Sequence, residues 1–147
     1  MIEKKRKEVF VARPIAPAKI AESIEKHSNM HEIGAHSIFL GQVRADLLDG
    51  KKVTAIEYTS YKDMADEAFH TIREETFAKF QLSCMHIYHS LGMVPAGGIS
   101  LFVFTSSKHR DMAIKACSYL VEAIKTRVPV WGKEIFEDTT HTWKNNT

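Results

Sequence analysis

Three side chains that can carry positive charge stand together at the predicted start of a helix, where Lys108, His109 and Arg110 follow a short polar segment. The first N–H groups of a helix have no partner within it, and together with the helix dipole they favour an anion. Arg110 can hold a phosphate or carboxylate through two parallel hydrogen bonds, and His109 can donate a hydrogen bond or a proton. Three cations at a helix N-terminus oppose the helix dipole and cost stability. We infer that they are placed there for function, and we predict an anion-binding site. The alternative is a solvated helix start capped by Ser106 and Ser107.

The other end of the same predicted helix begins a second group of charged residues, which runs from Lys125 and Arg127 to Lys133 and Glu134. The dipole favours cations at a helix C-terminus, which gives Lys125 and Arg127 a structural explanation. Lys125 lies one position off the apolar stripe of the helix, where it can either reach solvent or line a pocket. Lys133 and Glu134 fit an ordinary surface pair. Taken alone, this segment favours structural roles over a pocket lysine.

The length of this helix limits which residues one chain can bring together. A helix rises about 1.5 Å per residue, so His109 and Lys125 lie roughly 24 Å apart along it. A single chain cannot easily supply both side chains to one small-molecule site. We therefore predict that a site using both residues is shared between the two chains of a dimer.

The histidines and cysteines do not predict a metal site or a disulfide. His86 and His89 are three positions apart on a predicted strand, so they point to opposite faces. No other histidine, cysteine or carboxylate group has the spacing of metal ligands. Cys84 and Cys117 form no Cys-x-x-Cys pair, and each is predicted to be a buried structural thiol. Glycine-rich phosphate loops and the nucleophile elbow of hydrolases are also absent from the sequence.

The composition predicts one globular domain over residues 1–147, with residues 1–8 disordered. Hydrophobic residues make up 44% and charged residues 26% of the chain, as in ordinary globular proteins. The formal net charge of +2 gives no global attraction to nucleic acid. The apolar runs fall far short of the roughly 20 residues that a membrane span needs, and the charged N-terminus does not resemble a secretory signal. We therefore expect a cytoplasmic protein with no nucleic-acid or membrane partner.

Apolar periodicity and turn residues predict a mixture of helices and strands. Three helices are expected, over residues 17–28 and 62–80 and from the segment after Ser107 to Arg127. Asp49-Gly50 predicts the turn of a long hairpin between strands at residues 34–43 and 53–58. The remaining strands are predicted at residues 9–11, 84–89, 99–105 and within 130–143. Hairpins beside helices indicate an α+β fold with mixed or antiparallel sheets.

Taken in order, these segments resemble the MoaE family, the large catalytic subunits of molybdopterin synthase. The resemblance extends over nearly the whole chain from about residue 9, and it depends on the order and spacing of motifs that are weak individually. The matching residues are Gly41-Gln42-Val43-Arg44, Glu57-Tyr58, Tyr61, Met64-Ala65, His89, Gly92, Thr105-Ser106-Ser107-Lys108-His109-Arg110, Lys125-Thr126-Arg127-Val128-Pro129-Val130-Trp131-Gly132-Lys133-Glu134 and Trp143.

The resemblance implies a fold, a partner and a reaction. Members of the family have an α/β-hammerhead fold and dimerise, and each chain carries a small ubiquitin-like sulfur-carrier subunit (MoaD-like), which gives a heterotetramer. The C-terminal Gly-Gly tail of the carrier, activated as a thiocarboxylate, enters a pocket on the large subunit. Its sulfur is transferred to cyclic pyranopterin monophosphate, and two transfers build the dithiolene of molybdopterin. The large subunit consumes no metal or organic cofactor.

The resemblance also implies roles for particular residues. Lys125 is the main catalytic group, and it can shuttle protons or attack the acyl carbon. The family has a lysine directly after the tryptophan, where this chain has Gly132, so Lys133 becomes the second catalytic candidate. The implied substrate-binding residues are Gln42, Val43, Arg44, His109, Arg110, Lys125, Gly132, Lys133 and Glu134.

Two other functions remain open at the level of sequence. The first is a homologue that binds the carrier but has impaired or lost sulfur transfer, because Gly132 replaces the family lysine. The second is a small basic α+β domain that binds RNA. The near-neutral net charge and the lack of an aromatic ribonucleoprotein motif count against RNA binding.

Overall fold

The computed structural model describes residues 7–144, and this part of the chain contains the three helices that the periodicity predicts. The predicted disorder of residues 1–8 falls mostly outside this range. None of the described helices has the length and apolar character needed to cross a membrane. The elements in chain order are β1 (Phe10–Val11), α1 (Pro17–Lys26), β2 (Ala35–Gln42), β3 (Leu47–Leu48), β4 (Lys51–Ser60), α2 (Lys62–Lys79), β5 (Cys84–Ser90), β6 (Gly92–Pro95), β7 (Ile99–Ser107), α3 (Arg110–Arg127), β8 (Val130–Phe136) and β9 (His141–Trp143).

The strands form two sheets, which confirms the α+β class. The first sheet has four strands in the order β1-β5-β7-β2. Only β1 and β5 are parallel in it, and the other pairs are antiparallel. The second sheet has the order β3-β4-β8-β9, with β6 also paired to β4, and all its pairs are antiparallel.

The predicted long hairpin between residues 34–43 and 53–58 is wrong. Strand β2 pairs with β7 over its whole length, from Ala35 opposite Ser107 to Gln42 opposite Ile99. The turn at Asp49-Gly50, with φ of +52° and +77°, joins only the two-residue β3 to β4. The chain leaves the first sheet after β2 and enters the second, so the turn residues identify a hairpin but not its partner strands.

Helices cover both faces of the first sheet. On one face Ile87 of β5 shares a core cluster with Phe69 of α2 and Leu120 of α3. On the other face Phe104 of β7 shares a cluster with Ile20 of α1. Successive side chains of β5 alternate between these two faces, which separates the surroundings of its odd-numbered and even-numbered residues.

Helix α3 begins at Arg110 without the predicted serine cap. Its N-cap is His109, which makes no side-chain capping hydrogen bond. Ser106 and Ser107 belong instead to β7, because pairing with β2 extends that strand to its last residue. Their hydroxyls are used elsewhere, since Ser106 Oγ lies 2.7 Å from His36 Nδ1 and Ser107 Oγ donates to the Gln81 carbonyl at 2.7 Å.

Candidate active site

The last turn of α3 places Lys125 between two cavities of about 170 and 260 Å³. Lys125, Tyr58 and Lys144 line both cavities, so we treat the two as one groove with Lys125 at its junction. The pocket position of Lys125, which the segment alone did not favour, is therefore the one observed. The smaller cavity also includes His89, Trp131 and Gly132, and the larger one includes Gln42, Arg44 and Glu134.

Strands β4 and β8 supply one wall of the groove through their cross-strand pairs. Tyr58 lies opposite Gly132, and Ile56 lies opposite Glu134. Residues that face each other in this way project from the same side of a sheet. The wall is tight at Gly132, where an added Cβ would lie 3.0 Å from Ile56 Cγ2 and 3.4 Å from Tyr58 Cε1. A side chain at position 132 would therefore have to displace its neighbours.

The groove holds Lys125 in surroundings that favour its neutral amine. Burial, and then the positive charge of Lys144, lowers the pKa of Lys125 below its usual range. Both effects destabilise the ammonium ion relative to the amine. An amine with a lowered pKa can accept a proton or attack a carbonyl carbon nearer to neutral pH than an exposed lysine can.

His89 and Tyr58 are groove residues to which the sequence assigned no role. Burial, and to a smaller extent the charge of Lys125, lowers the pKa of His89 to about 4, so the ring is neutral. Its Nδ1 donates to the Ser90 carbonyl at 2.7 Å, which leaves Nε2 as an acceptor. The Tyr58 hydroxyl donates to Ser100 Oγ at 3.2 Å, and burial raises its pKa. Both residues belong to the motifs of the family resemblance, which was the available signal for them.

Glu134 and Lys144 form an ion pair inside the groove. Glu134 is buried, with 6% of its surface exposed, and its Oε1 lies 4.0 Å from Lys144 Nζ. Its Oε2 has no hydrogen-bond partner within residues 7–144. The Lys144 N–H donates to the Gly132 carbonyl at 2.9 Å, which fixes the lysine beside Gly132. Lys144 could not be predicted as a groove residue, because its proximity to Gly132 depends on the return of β9 against β8.

Lys133, the second catalytic candidate, lies on the other face of β8 from Gly132 and lines neither of the two cavities. Adjacent strand residues point to opposite sides, so Lys133 faces away from the side shared by Gly132 and Glu134. Its Nζ lies 3.7 Å from Glu57 Oε1 and 5.5 Å from the centre of the Trp143 ring. Lys133 thus contacts Glu57 and Trp143, whereas Lys144 is the lysine that lines both cavities together with Lys125.

The three predicted residues that follow Gly41 have different positions. Gln42 and Arg44 line the larger cavity, where Arg44 Nη2 lies 3.3 Å from Asp46 Oδ2. Val43 is instead buried with Val94 in the core. Its N–H and carbonyl are both bonded within the chain, and Val43 lines neither of the two cavities.

His109 and Arg110 are far from the groove of the same chain. They lie at the first residues of α3, and both are exposed. His109 lines a separate cavity of about 570 Å³ together with Lys108 and Met112. The expectation that one chain does not bring His109 and Lys125 together is therefore confirmed within the described residues.

Outside the groove, the structure gathers a group of metal-ligand types that the sequence did not predict. Ligand atoms of His27, Cys84 and His86 all lie within 4.8 Å of one another. Cys84 and His86 are two positions apart on β5, so they share a face, and α1 brings His27 to them. Spacing along the sequence did not reveal this group, because His27 is 57 residues away from Cys84.

Comparison with known proteins identifies the family. The family model described as MoaE protein matches residues 11–127, which is most of the chain. The chain belongs to the MoaE family. The matched range ends at the last residue of α3, so it includes Lys125 but neither Gly132 nor Lys144.

Individual relatives agree with the MoaE assignment. The molybdopterin synthase catalytic subunit of Bos taurus is 38% identical over 113 residues, which are 77% of this chain and 59% of the bovine protein. The chain thus spans about three-fifths of the length of that curated relative. The crystal structure of molybdopterin synthase from Staphylococcus aureus has a TM-score of 0.79 and 31% identity, covering 97% of this chain and 99% of that one.

A third comparison concerns the fold alone. The protein–protein complex of subunits 1 and 2 of molybdopterin-converting factor from Helicobacter pylori 26695 contains a chain with a TM-score of 0.79 and 17% identity. The alignment covers 93% of this chain and 89% of that one. The MoaE fold is thus retained at a low level of sequence identity.

Proposed function

We propose that this protein transfers sulfur from the C-terminal thiocarboxylate of a small ubiquitin-like carrier to cyclic pyranopterin monophosphate, forming the dithiolene of molybdopterin. Membership of the MoaE family supports the reaction class. The observation that carries the proposal for this chain is the position of Lys125 at the junction of two cavities, beside a second lysine. A junction of this kind lets a carrier tail and a substrate approach one amine from two sides.

We assign the two cavities to the two reactants by their lining. The smaller one is bordered by Trp131 and by Gly132, which carries no side chain to obstruct a Gly-Gly tail. The larger one offers Arg44 and Gln42, which suit a phosphate and the hydrogen-bonding edge of a pterin. The carrier's acyl carbon and the acceptor carbon of the substrate then meet at Lys125.

The chemistry at Lys125 follows from its lowered pKa. Sulfur transfer breaks the acyl C–S bond of the carrier, so an incoming nucleophile must take the place of sulfur on the acyl carbon. The Lys125 amine can be that nucleophile, or it can take the proton from a water molecule that attacks instead. In both cases the Lys144 ammonium stabilises negative charge that develops on the acyl oxygen or the sulfur.

The position of Lys144 in the groove favours catalysis over a role restricted to carrier binding. The binding-only alternative depends on the loss of the family lysine at Gly132. Lys144 is bonded through its backbone to Gly132 and through its side chain to Glu134, so a lysine ammonium is present at this part of the groove. We propose that Lys144 performs the role of the lysine that Gly132 replaces.

We further propose a dimer that acts in the cytoplasm, with each site completed by the partner chain. His109 and Arg110 of one chain would bind substrate anions near Lys125 of the other, and two carriers would complete a heterotetramer. The free thiols of Cys84 and Cys117 are in keeping with a reducing compartment.

Reconstitution tests the proposed function directly. The purified protein is mixed with thiocarboxylated carrier and cyclic pyranopterin monophosphate, and molybdopterin is measured. We expect product formation. Carrier binding without product would favour the binding-only alternative. If the protein neither binds the carrier nor forms product, the proposed function is contradicted, whereas the family assignment stays intact.

Mixed dimers test whether the site is shared. We expect His109→Ala and Lys125→Ala homodimers both to be inactive, and heterodimers of the two variants to recover about half of the sites, because one of their two sites retains both side chains. Activity per heterodimer is the measurement, after separation by two different affinity tags. Heterodimers without activity would contradict the shared site.

A further inference from the structure

Three atoms with metal-binding lone pairs meet between the end of α1 and the start of β5. His27 Nε2 lies 3.0 Å from Cys84 Sγ, Cys84 Sγ lies 3.1 Å from His86 Nε2, and the two Nε2 atoms lie 3.2 Å apart. The atoms thus form a nearly equilateral triangle. We propose that His27, Cys84 and His86 form a binding site for one Zn²⁺ ion, separate from the groove at Lys125.

The size of the triangle fits zinc. With Zn–N bonds of about 2.0 Å and Zn–S bonds of about 2.3 Å, a tetrahedral ion holds neighbouring ligand atoms about 3.3 to 3.5 Å apart. The three atoms therefore need to separate by no more than about 0.5 Å to accept the ion. Histidine nitrogen and cysteine sulfur are both ligand atoms that zinc takes, and three protein ligands leave one position for water or a further ligand.

The surroundings of His27 prepare it as a ligand. Its Nδ1 donates to the Ser23 carbonyl at 2.6 Å, so the lone pair of the neutral ring lies on Nε2, the atom in the triangle. A hydrogen bond of this kind on the other ring nitrogen is the usual support of a metal-bound histidine. His27 is buried, with 7% of its surface exposed, although it follows directly after α1.

The apolar ring of Phe104 borders the site on one side. The Phe104 ring lies 4.9 Å from the His27 ring and 5.9 Å from the His86 ring, measured between centroids. Zinc is bound by the thiolate, so zinc binding replaces the S–H proton of Cys84 with the ion and releases that proton to solvent.

The position of the site gives it a structural role. Cys84 and His86 project from β5 toward α1, whereas Ile87 belongs to the opposite face, where α2 and α3 pack. The ion would connect the end of α1 to the first strand residues of β5 and thereby hold this helix on the sheet. Protons can also satisfy the three atoms, with the thiol and one imidazole as donors, so the decisive experiment is a metal titration.

The titration uses the full chain, tag-free, reduced and treated with a chelator that is then removed. Co²⁺ is added first, because thiolate ligation to Co²⁺ gives a charge-transfer band in the near ultraviolet and tetrahedral geometry gives intense visible bands. We expect both to saturate at one Co²⁺ per chain and to disappear when one equivalent of Zn²⁺ is added. Absence of the thiolate band at saturating Co²⁺ would overturn the proposal, and this result requires no variant to fold.

Ligand variants locate the ion. We expect Cys84→Ser and His86→Gln each to weaken Zn²⁺ binding by at least about 100-fold, since even supporting residues of metal sites contribute 10- to 100-fold. The matched controls are Cys117→Ser, the other cysteine, and His31→Gln, an exposed histidine, and both should bind as the wild type does. Circular dichroism without metal shows whether each variant is folded.

Thermal unfolding gives an independent readout. At a 100-fold excess over Kd, Zn²⁺ should raise the Tm of the wild type by at least about 5 °C and leave that of Cys84→Ser unchanged. Equal Zn²⁺ affinity or an equal Tm shift in the wild type and both ligand variants would place the ion elsewhere and overturn the proposal. The outcome does not depend on whether the protein transfers sulfur.

Discussion

Lys125→Ala is expected to lower the rate of molybdopterin formation by about 10³-fold, with carrier binding and the dimer intact. The amine lies at the junction of the two cavities, where both reactants must meet, and burial keeps its pKa below the usual range. Loss of a positioned group that moves a proton or attacks an acyl carbon has an effect of about this size. Single-turnover product formation with thiocarboxylated carrier is the measurement.

Two further variants separate the chemistry of Lys125 from its charge. Lys125→Arg keeps the positive charge but cannot supply a neutral amine, so it should be nearly as inactive as the alanine variant. Lys115→Ala removes an exposed lysine of the same helix and should retain wild-type activity. A clear fall in the Tm of Lys125→Ala would instead show that this lysine is structural, and the catalytic assignment would be wrong.

Lys144→Ala is expected to lower the rate by about 10²-fold, the effect of losing one donor that stabilises developing negative charge. The variant also leaves the buried Glu134 without its ion-pair partner. Because Lys144 helps to hold the pKa of Lys125 down, the neutral substitution Lys144→Gln should raise that pKa. The rising limb of the pH–rate profile should then move to higher pH.

Position 132 supplies the matched comparison for Lys144. If the family lysine were simply missing, Gly132→Lys would raise activity sharply. We expect no gain, because a Cβ there meets Ile56 Cγ2 at 3.0 Å and because Lys144 already brings an ammonium to this part of the groove. Lys133→Ala should lose far less activity than Lys144→Ala. A large gain from Gly132→Lys, or equal losses from the two alanine variants, would contradict the assignment.

The features that the sequence predicted correctly depend on local chemistry. The apolar period places α3 to within a few residues, and its length alone shows that His109 and Lys125 cannot meet in one chain. The α+β class follows in the same way from the order of periodic segments. The pocket position of Lys125 was only one of two alternatives for a residue at the edge of the apolar stripe, and the segment taken alone did not favour it.

The features that it missed depend on contacts between distant segments. Strand β2 pairs with β7 and not with β4, and this long-range pairing cannot be predicted from the residues of a turn. Lys144 reaches the groove only because β9 returns along β8. The zinc site had a partial signal, since Cys84 and His86 share a strand face, but His27 comes from a helix 57 residues earlier.

The two ends of α3 have a genetic consequence if each site is completed across the dimer as proposed. The helix begins at Arg110 and ends two residues after Lys125, so each copy contributes to both sites, one at each end. Two alleles of the gene, one with a substitution at the start of α3 and the other with a substitution at its end, would then complement each other in the same cell. An allele damaged at both ends would inactivate both sites of every mixed dimer, so with equal expression only the dimers of two intact chains, about a quarter of the total, would stay active.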